Sequence, residues 1–287
     1  METWHAYIDE SYNSKTFCVG GFFAPVAIWD RITCAWAERI DHENRMSAKK
    51  GFPPITRYHA TYCAGLSHQF SKANGWDVPR QIKFTKRLCE VLGKQPPRGI
   101  VVGGAIADAK AYLDIAGKTR AKDLLYSMCF KMCLLQIAAV MYAEFLDARV
   151  KVFYERSEFE GLAKEAYDAS IKEHDVLHLF RKFDGADVAG WETACALQAA
   201  DFMAYEGLQC VERSMKGNSK LKKSLNAMIG NKIPIQIMHF KRENFADIAR
   251  IAENRRVGEP LHAGLESAIG LSLGGLGRIP GNRDTYR

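Results

Sequence analysis

Within its first 25 residues the chain carries two apolar stretches, HAYIDES and TFCVGGFFAP, separated only by the turn-forming YNSK. Their alternation and aromatic content read as strands, and so short a link folds the second back on the first. The Gly20–Gly21 pair inside the second stretch marks a bulge or a close backbone approach. A helix follows over IWDRITCAWAERIDHEN, with Ile28, Ile32, Trp36 and Ile40 on one stripe.

The alternation continues beyond this hairpin. RQIKFTKRLCEVLG reads as a helix with a basic outer face and a glycine at its C-terminus, and RGIVVGGAIAD as a strongly apolar strand. A short helix, AKAYLDIAG, leads to the long apolar AKDLLYSMCFKMCLLQIAAVMYAEFLDA, a central buried helix. RVKVFYERSEFEG is a strand ending at Glu155, GLAKEAYDASIKEHD an amphipathic helix, and VLHLFRKFDGA a strand and turn. GWETACALQAADFMAYEGLQCVERSMKG then reads as one long helix, and IQIMHF as a late strand. This order predicts an α/β fold with a mixed sheet flanked by helices. One domain is expected over 1–257, with a basic, irregular insertion at about 41–100. Inside the insertion TRYHATYC is a candidate strand, and the Gly-rich residues 258–287 read as a flexible tail.

Eight cysteines without a CxxC pair, and a charged Asp9–Glu10 too early for a secretory h-region, point to a reduced, cytoplasmic protein. Cys129 and Cys133, four apart on a helix, read as small buried hydrophobes. No run of about 18 apolar residues suggests a membrane-spanning helix. The net charge of +7 is unevenly spread: residues 41–100 hold eleven Lys and Arg against four acids, and KGNSKLKKSL and HFKREN repeat the imbalance. Such blocks attract phosphate backbones or simply solubilise a surface.

Carboxylates stand where ligand sites form in α/β sheets. Asp9 and Glu10 end the first strand, Glu155 ends a later one, and Asp201 lies inside the apolar ALQAADFMAYE. A charge there is costly unless it is paired or bound to a cation. Hard cations such as Mg²⁺ and Mn²⁺ take carboxylate oxygens, and two ions about 4 Å apart promote phosphodiester cleavage. Bland roles compete at each position: a turn for Asp9 or Glu10, a pair with Arg156 for Glu155, and a salt bridge for Asp201. Asp187 and Glu192 read as loop and capping residues, and His59, His178 and His239 as structural.

YIDES followed by a hairpin to FCVGGFFAP, with LQAADFMAYE late in the chain, resembles the domain of unknown function 3800 family. Those proteins are mostly bacterial, carry an RNase H-like fold and are suspected metal-dependent nucleases. The resemblance implies an RNase H-like mixed sheet, with Asp9, Glu155 and Asp201 as ligands for Mg²⁺ or Mn²⁺ and Glu10 or His59 assisting. The family's position at Glu155 is more often Asp. Its Glu-x-His element is matched here only in the histidine of RYHATYC, with Arg57 in place of the acid. Either that element is dispensable or the metal site is incomplete. The expectation is a metal-dependent nuclease acting on DNA or RNA. The alternatives are a non-catalytic nucleic-acid-binding protein of the same fold and, more remotely, a carboxylate-pair glycosidase.

Overall fold

The computed structural model describes residues 1–116, 121–172, 177–218 and 223–245. The Gly-rich tail from 258 lies outside the described residues, as does part of KGNSKLKKSL. The hairpin forms as its sequence dictates: β1 (Glu2–Tyr12) pairs antiparallel with β2 (Thr16–Pro25), and β2 in turn with β3 (Arg98–Ala105). β4 (Ala148–Glu155) joins the free edge of β1 in parallel, β5 (Phe183–Ala189) extends β4, and β6 (Ile235–Phe240) pairs in parallel with β3. The six-stranded mixed sheet therefore runs β5-β4-β1-β2-β3-β6.

Helices cover both faces, so the central strand β2 is buried along its whole length and reads as a continuous apolar run. One face carries α4 (Ile106–Ala116), α5 (Ala121–Glu144), α6 (Glu160–Lys172) and α7 (Leu177–Phe180). The long helix α5 buries Leu125, Cys129, Phe130, Cys133, Leu134 and Ile137 against the sheet. By length and composition alone α5 could cross a membrane, which corrects the sequence reading, and 61% of that stretch is buried in this fold. The opposite face carries α1 (Val26–Ala48), α3 (Val78–Lys94), α8 (Leu197–Met215) and α9 (Lys223–Gly230). On α1 the buried stripe is Trp29, Ile32, Trp36 and Ile40, with Ile28 only half-buried. All eight cysteines are unpaired, and Cys129 and Cys133 are fully buried.

Four local readings are corrected by packing. TRYHATYC is not a strand: residues 55–59 form no ladder and bend at Arg57, and α2 (Ala60–Ala64) follows. VLHLF forms α7 rather than a strand, which places His178 in a helix and begins β5 only at Phe183. α8 begins at Leu197, because Gly190 O accepts from Thr193 N (3.1 Å) and Ala194 N (3.0 Å) and closes a turn first. Gly93 lies within α3, whose N-terminus is capped by the Asp77 carboxylate accepting from Arg80 N at 2.8 Å. The basic stretch is also less irregular than expected: Ile55, Tyr58, Cys63, Phe70, Trp76, Phe84 and Leu88 anchor it in the core.

The approach of α8 to the sheet depends on Gly20. A Cβ there would sit 3.1 Å from Ala204 Cα and 3.2 Å from Ile100 O, both backbone atoms that cannot turn aside. Gly20 pairs with Asp9 across the β1–β2 ladder, and Ala204 lies one helical turn beyond Asp201. The glycine thus lets the helix-borne acid descend onto the strand-borne one. Gly20→Val is expected to cost about 2 kcal/mol or more through overpacking, lowering Tm by about 5 °C or more in thermal unfolding.

Candidate functional site

Strand periodicity sets the first two acids. His5, Tyr7 and Asp9 share one face of β1, while Lys151, Phe153 and Glu155 share the same face of β4. In the parallel β1–β4 register the last pair is Ile8 with Tyr154, so Asp9 and Glu155 stand side by side just past it. β1 itself runs on to Tyr12 against β2, which corrects the reading that Asp9 and Glu10 end the first strand. Asp201 comes from the first turn and a half of α8, which crosses this face. Asp9 is 6% exposed, and the Asp201 and Glu155 side chains are 15% and 23% exposed. Glu10 belongs to the opposite face, where it approaches Ser157 and Glu158 beyond the end of β4.

The segment carrying Arg57 and His59 has no ladder to satisfy its backbone, so side chains do it instead. Asn44 on α1 accepts from Ile55 N (2.8 Å) and donates to Ile55 O (2.9 Å). Gln69 accepts from Thr56 N and donates to Arg57 O, both at 2.8 Å. The buried Gln198 carbonyl oxygen accepts from Tyr58 N (2.8 Å) and Trp36 Nε1 (3.2 Å). Asp201 Oδ2 accepts from Ala60 N at 2.8 Å. Gln198, one turn before Asp201, was not singled out from sequence. Its signal was an amide inside the apolar ALQAAD, where a polar group needs partners.

Electrostatically the acids crowd one another. Burial, then the charges of Glu10, Asp201 and Glu155 and a hydrogen bond with Glu155, push the Asp9 carboxyl well above its usual range. Burial lifts Asp201 to about 7, aided by Glu155 and opposed by the Ala60 N–H and Arg57. Glu10 is likewise raised to about 7, chiefly by burial and against a hydrogen bond from Ser157. His59 is lowered to about 4 by burial and by the nearby Arg57 and His68, so it is neutral at neutral pH. Its Nδ1 stands 3.9 Å from Asp201 Oδ2, which is too long for a hydrogen bond, and this buried atom has no partner. The ring stacks on Tyr62 with centroids 3.9 Å apart.

Arg57 brings a guanidinium to these acids that sequence reading could not place. Its Nη1 lies 3.5 Å from Glu155 Oε1, and its Cζ lies 4.6 Å from the centroid of the Trp191 ring. Glu155 therefore pairs with Arg57 across 98 positions, not with its neighbour Arg156. Asp187 sits on β5 and pairs with Lys151 at 2.6 Å, so it is neither a loop residue nor part of the cluster, and Glu192 is exposed in the turn before α8. His239, on β6, lies across the sheet beyond β3.

Carboxylate oxygens are the donor type that hard cations take. Several carboxylates with too little counter-charge meet beside an orphaned imidazole nitrogen, and such a set is relieved by a proton or a metal ion. The side chains do not stand as a closed ligand set: among the described residues no group of three or more His, Cys, Asp or Glu is spaced to hold an ion. A separate cleft of about 450 Å³ between α1 and α3, lined in part by Arg39, His42, Arg45 and Lys94, contains none of these acids. Comparison of the chain with protein-family models, with curated proteins and with solved structures returned no match.

Proposed function

We propose that this chain is a divalent-metal-dependent nuclease of RNase H-like fold, akin to the domain of unknown function 3800 family. One observation carries the reading. Three distant segments deliver Asp9, Glu155 and Asp201 to one sheet edge, with the unpartnered His59 Nδ1 beside them. The antiparallel β1–β2–β3 meander, extended in parallel by β4 and β5, supports the fold assignment.

In this reading Asp9, Glu155 and Asp201 would hold Mg²⁺ or Mn²⁺. The ion would supply an activated water and neutralise charge at the phosphate. The Ala60 N–H fixes one oxygen of Asp201 and leaves the other for a ligand. Arg57, packed on Trp191, is placed to turn from Glu155 toward a phosphate oxygen. Lys49, Lys50, Lys72, Lys83 and Lys86 are exposed and available to a nucleic-acid backbone, whereas Arg80 and Arg98 are held by Glu43 and Glu144.

The Arg57–Glu155 pair also favours a second reading, a nucleic-acid-binding protein without catalysis, because a guanidinium on Glu155 competes with any cation there. The two separate in a cleavage assay on labelled single- and double-stranded DNA, RNA and hybrids with Mn²⁺, Mg²⁺ or EDTA. The nuclease reading expects cleavage of at least one substrate that EDTA abolishes. Binding without cleavage on every substrate would leave only the second.

A further inference from the structure

Among the described residues the helices of the α1/α8 face leave the β4–β5 side of the sheet open, and a cleft of about 410 Å³ lies there. Its floor is aromatic. Tyr7 stacks on Phe153 with centroids 5.1 Å apart, His5 meets Phe153 edge-on at 4.9 Å, and Trp29 meets Tyr7 edge-on at 4.7 Å. The floor is rigid: Trp29 Nε1 donates to His5 O at 2.8 Å, and the Tyr7 hydroxyl lies 3.3 Å from His5 Nδ1. The opposite rim, between β5 and α8, is made of small residues, Thr193 and Ala194 among them, and the Lys151 ammonium stands 5.3 Å from the centroid of the Phe153 ring. The Asp30 carboxylate stands on the α1 side as an exposed acceptor.

None of the three carboxylates lines this cleft, but its floor leads toward two of them along the strands. Tyr7 lies two residues before Asp9 on one strand, and Phe153 two before Glu155 on the next. Two residues of strand span about 7 Å, so a planar group in the cleft and a phosphate at the acids fit the reach of a single nucleotide. We infer that the cleft between α1 and β4–β5 is a nucleobase subsite: a base stacks over Phe153 and Tyr7, and Asp30 accepts from an exocyclic amine of adenine or cytosine. Stacking on aromatic side chains is the common way to hold a base from a single strand, so the subsite points to an unpaired nucleotide at the cutting position. The inference builds on the nuclease reading and names the form of its substrate.

The test uses nucleosides, which carry no phosphate and need no metal. Adenosine and cytidine are titrated into the full-length protein in EDTA, with ribose as control, and binding is read by saturation-transfer NMR. The expected result is saturable binding of nucleosides but not ribose, weakened about tenfold or more by Phe153→Ala. Ala194→Trp, which fills the cleft from its rim and leaves the floor intact, is expected to abolish binding, with circular dichroism confirming that both variants fold. Absence of nucleoside binding, equal binding of ribose, or affinities unchanged in both variants would overturn the inference. Loss of the nuclease reading alone would leave nucleoside binding in place, whereas metal-dependent cleavage without nucleoside binding would remove the subsite alone.

Discussion

Asp9→Asn is expected to reduce metal-dependent phosphodiester cleavage by about 10³-fold while leaving the protein folded. The amide keeps the shape of the side chain and its hydrogen bond from Glu10 N, now 2.8 Å from Asp9 Oδ1. It removes the anionic oxygen that the proposed cation needs at the centre of the cluster. Losing several kcal/mol of charge stabilisation at the transition state corresponds to this factor, since each 1.36 kcal/mol is tenfold in rate. The variant has a built-in control against a trivial loss of fold. Asp9 is buried among like charges, so a neutral replacement relieves repulsion. Its Tm at pH 8 without metal is expected to equal or exceed that of the wild type. A variant that keeps wild-type cleavage would take Asp9 out of the chemistry.

The metal-free protein is expected to be more stable at pH 5.5 than at pH 8. Glu10 and Asp201 titrate at about 7 in the fold, with Asp9 raised as well, whereas carboxyls in an unfolded chain lose their protons near pH 4. Between those values the folded state holds more protons than the unfolded one. Stability therefore falls as pH rises from about 4 to about 7, and stays low above that. His59 acts in the opposite sense: with a folded value of about 4, it weakens the fold as pH drops from about 6.5 to 4. Burial lowers His5 and His239 in the same sense as His59, and the three carboxyls, which carry the larger shifts, outweigh them. A Tm lower by about 5 °C at pH 8 than at pH 5.5 is expected. Thermal unfolding in EDTA across this range checks the sign, and Asp201→Asn should flatten the profile. A Tm that climbs steadily from pH 5.5 to 8 would show that the carboxylates are not crowded as described.

What could be read from the sequence was whatever local chemistry decides. YNSK between two alternating stretches defined β2 to the residue, whereas β1 begins three residues before HAYIDES and runs on past Asp9 to Tyr12, so only Glu155 holds the strand-end position read for it. Asp201 stood out because a charge among LQAA and FMA demands a partner. The segment 55–60 was illegible for the opposite reason. Its course is held by Asn44, Gln69, Gln198 and Asp201, and its partners at 198 and 201 come from another element about 140 positions away. The Arg57–Glu155 pair is equally long-range, so sequence could show that an arginine replaces an acid but not that it reaches across to another. The aromatic cleft escaped notice because His5, Tyr7, Trp29 and Phe153 looked like ordinary core residues. Only the strand order, which among the described residues leaves this face of β4–β5 uncovered, brings them to the wall of a cleft. The late start of α8 and the helix in VLHLF were lost to a turn and a short helix that apolar periodicity does not distinguish.

The central claim is that these carboxylates form a cation site, and the most direct measurement is a Mn²⁺ titration followed by electron paramagnetic resonance. It needs no substrate and does not depend on turnover. The account predicts saturable loss of the free Mn²⁺ signal with wild-type protein at pH 8, competition by Mg²⁺, and loss of this binding in both Asp9→Asn and Asp201→Asn. Wild-type protein that leaves the Mn²⁺ signal free, or binding that survives both substitutions, would contradict it and leave these acids to protons and to Arg57.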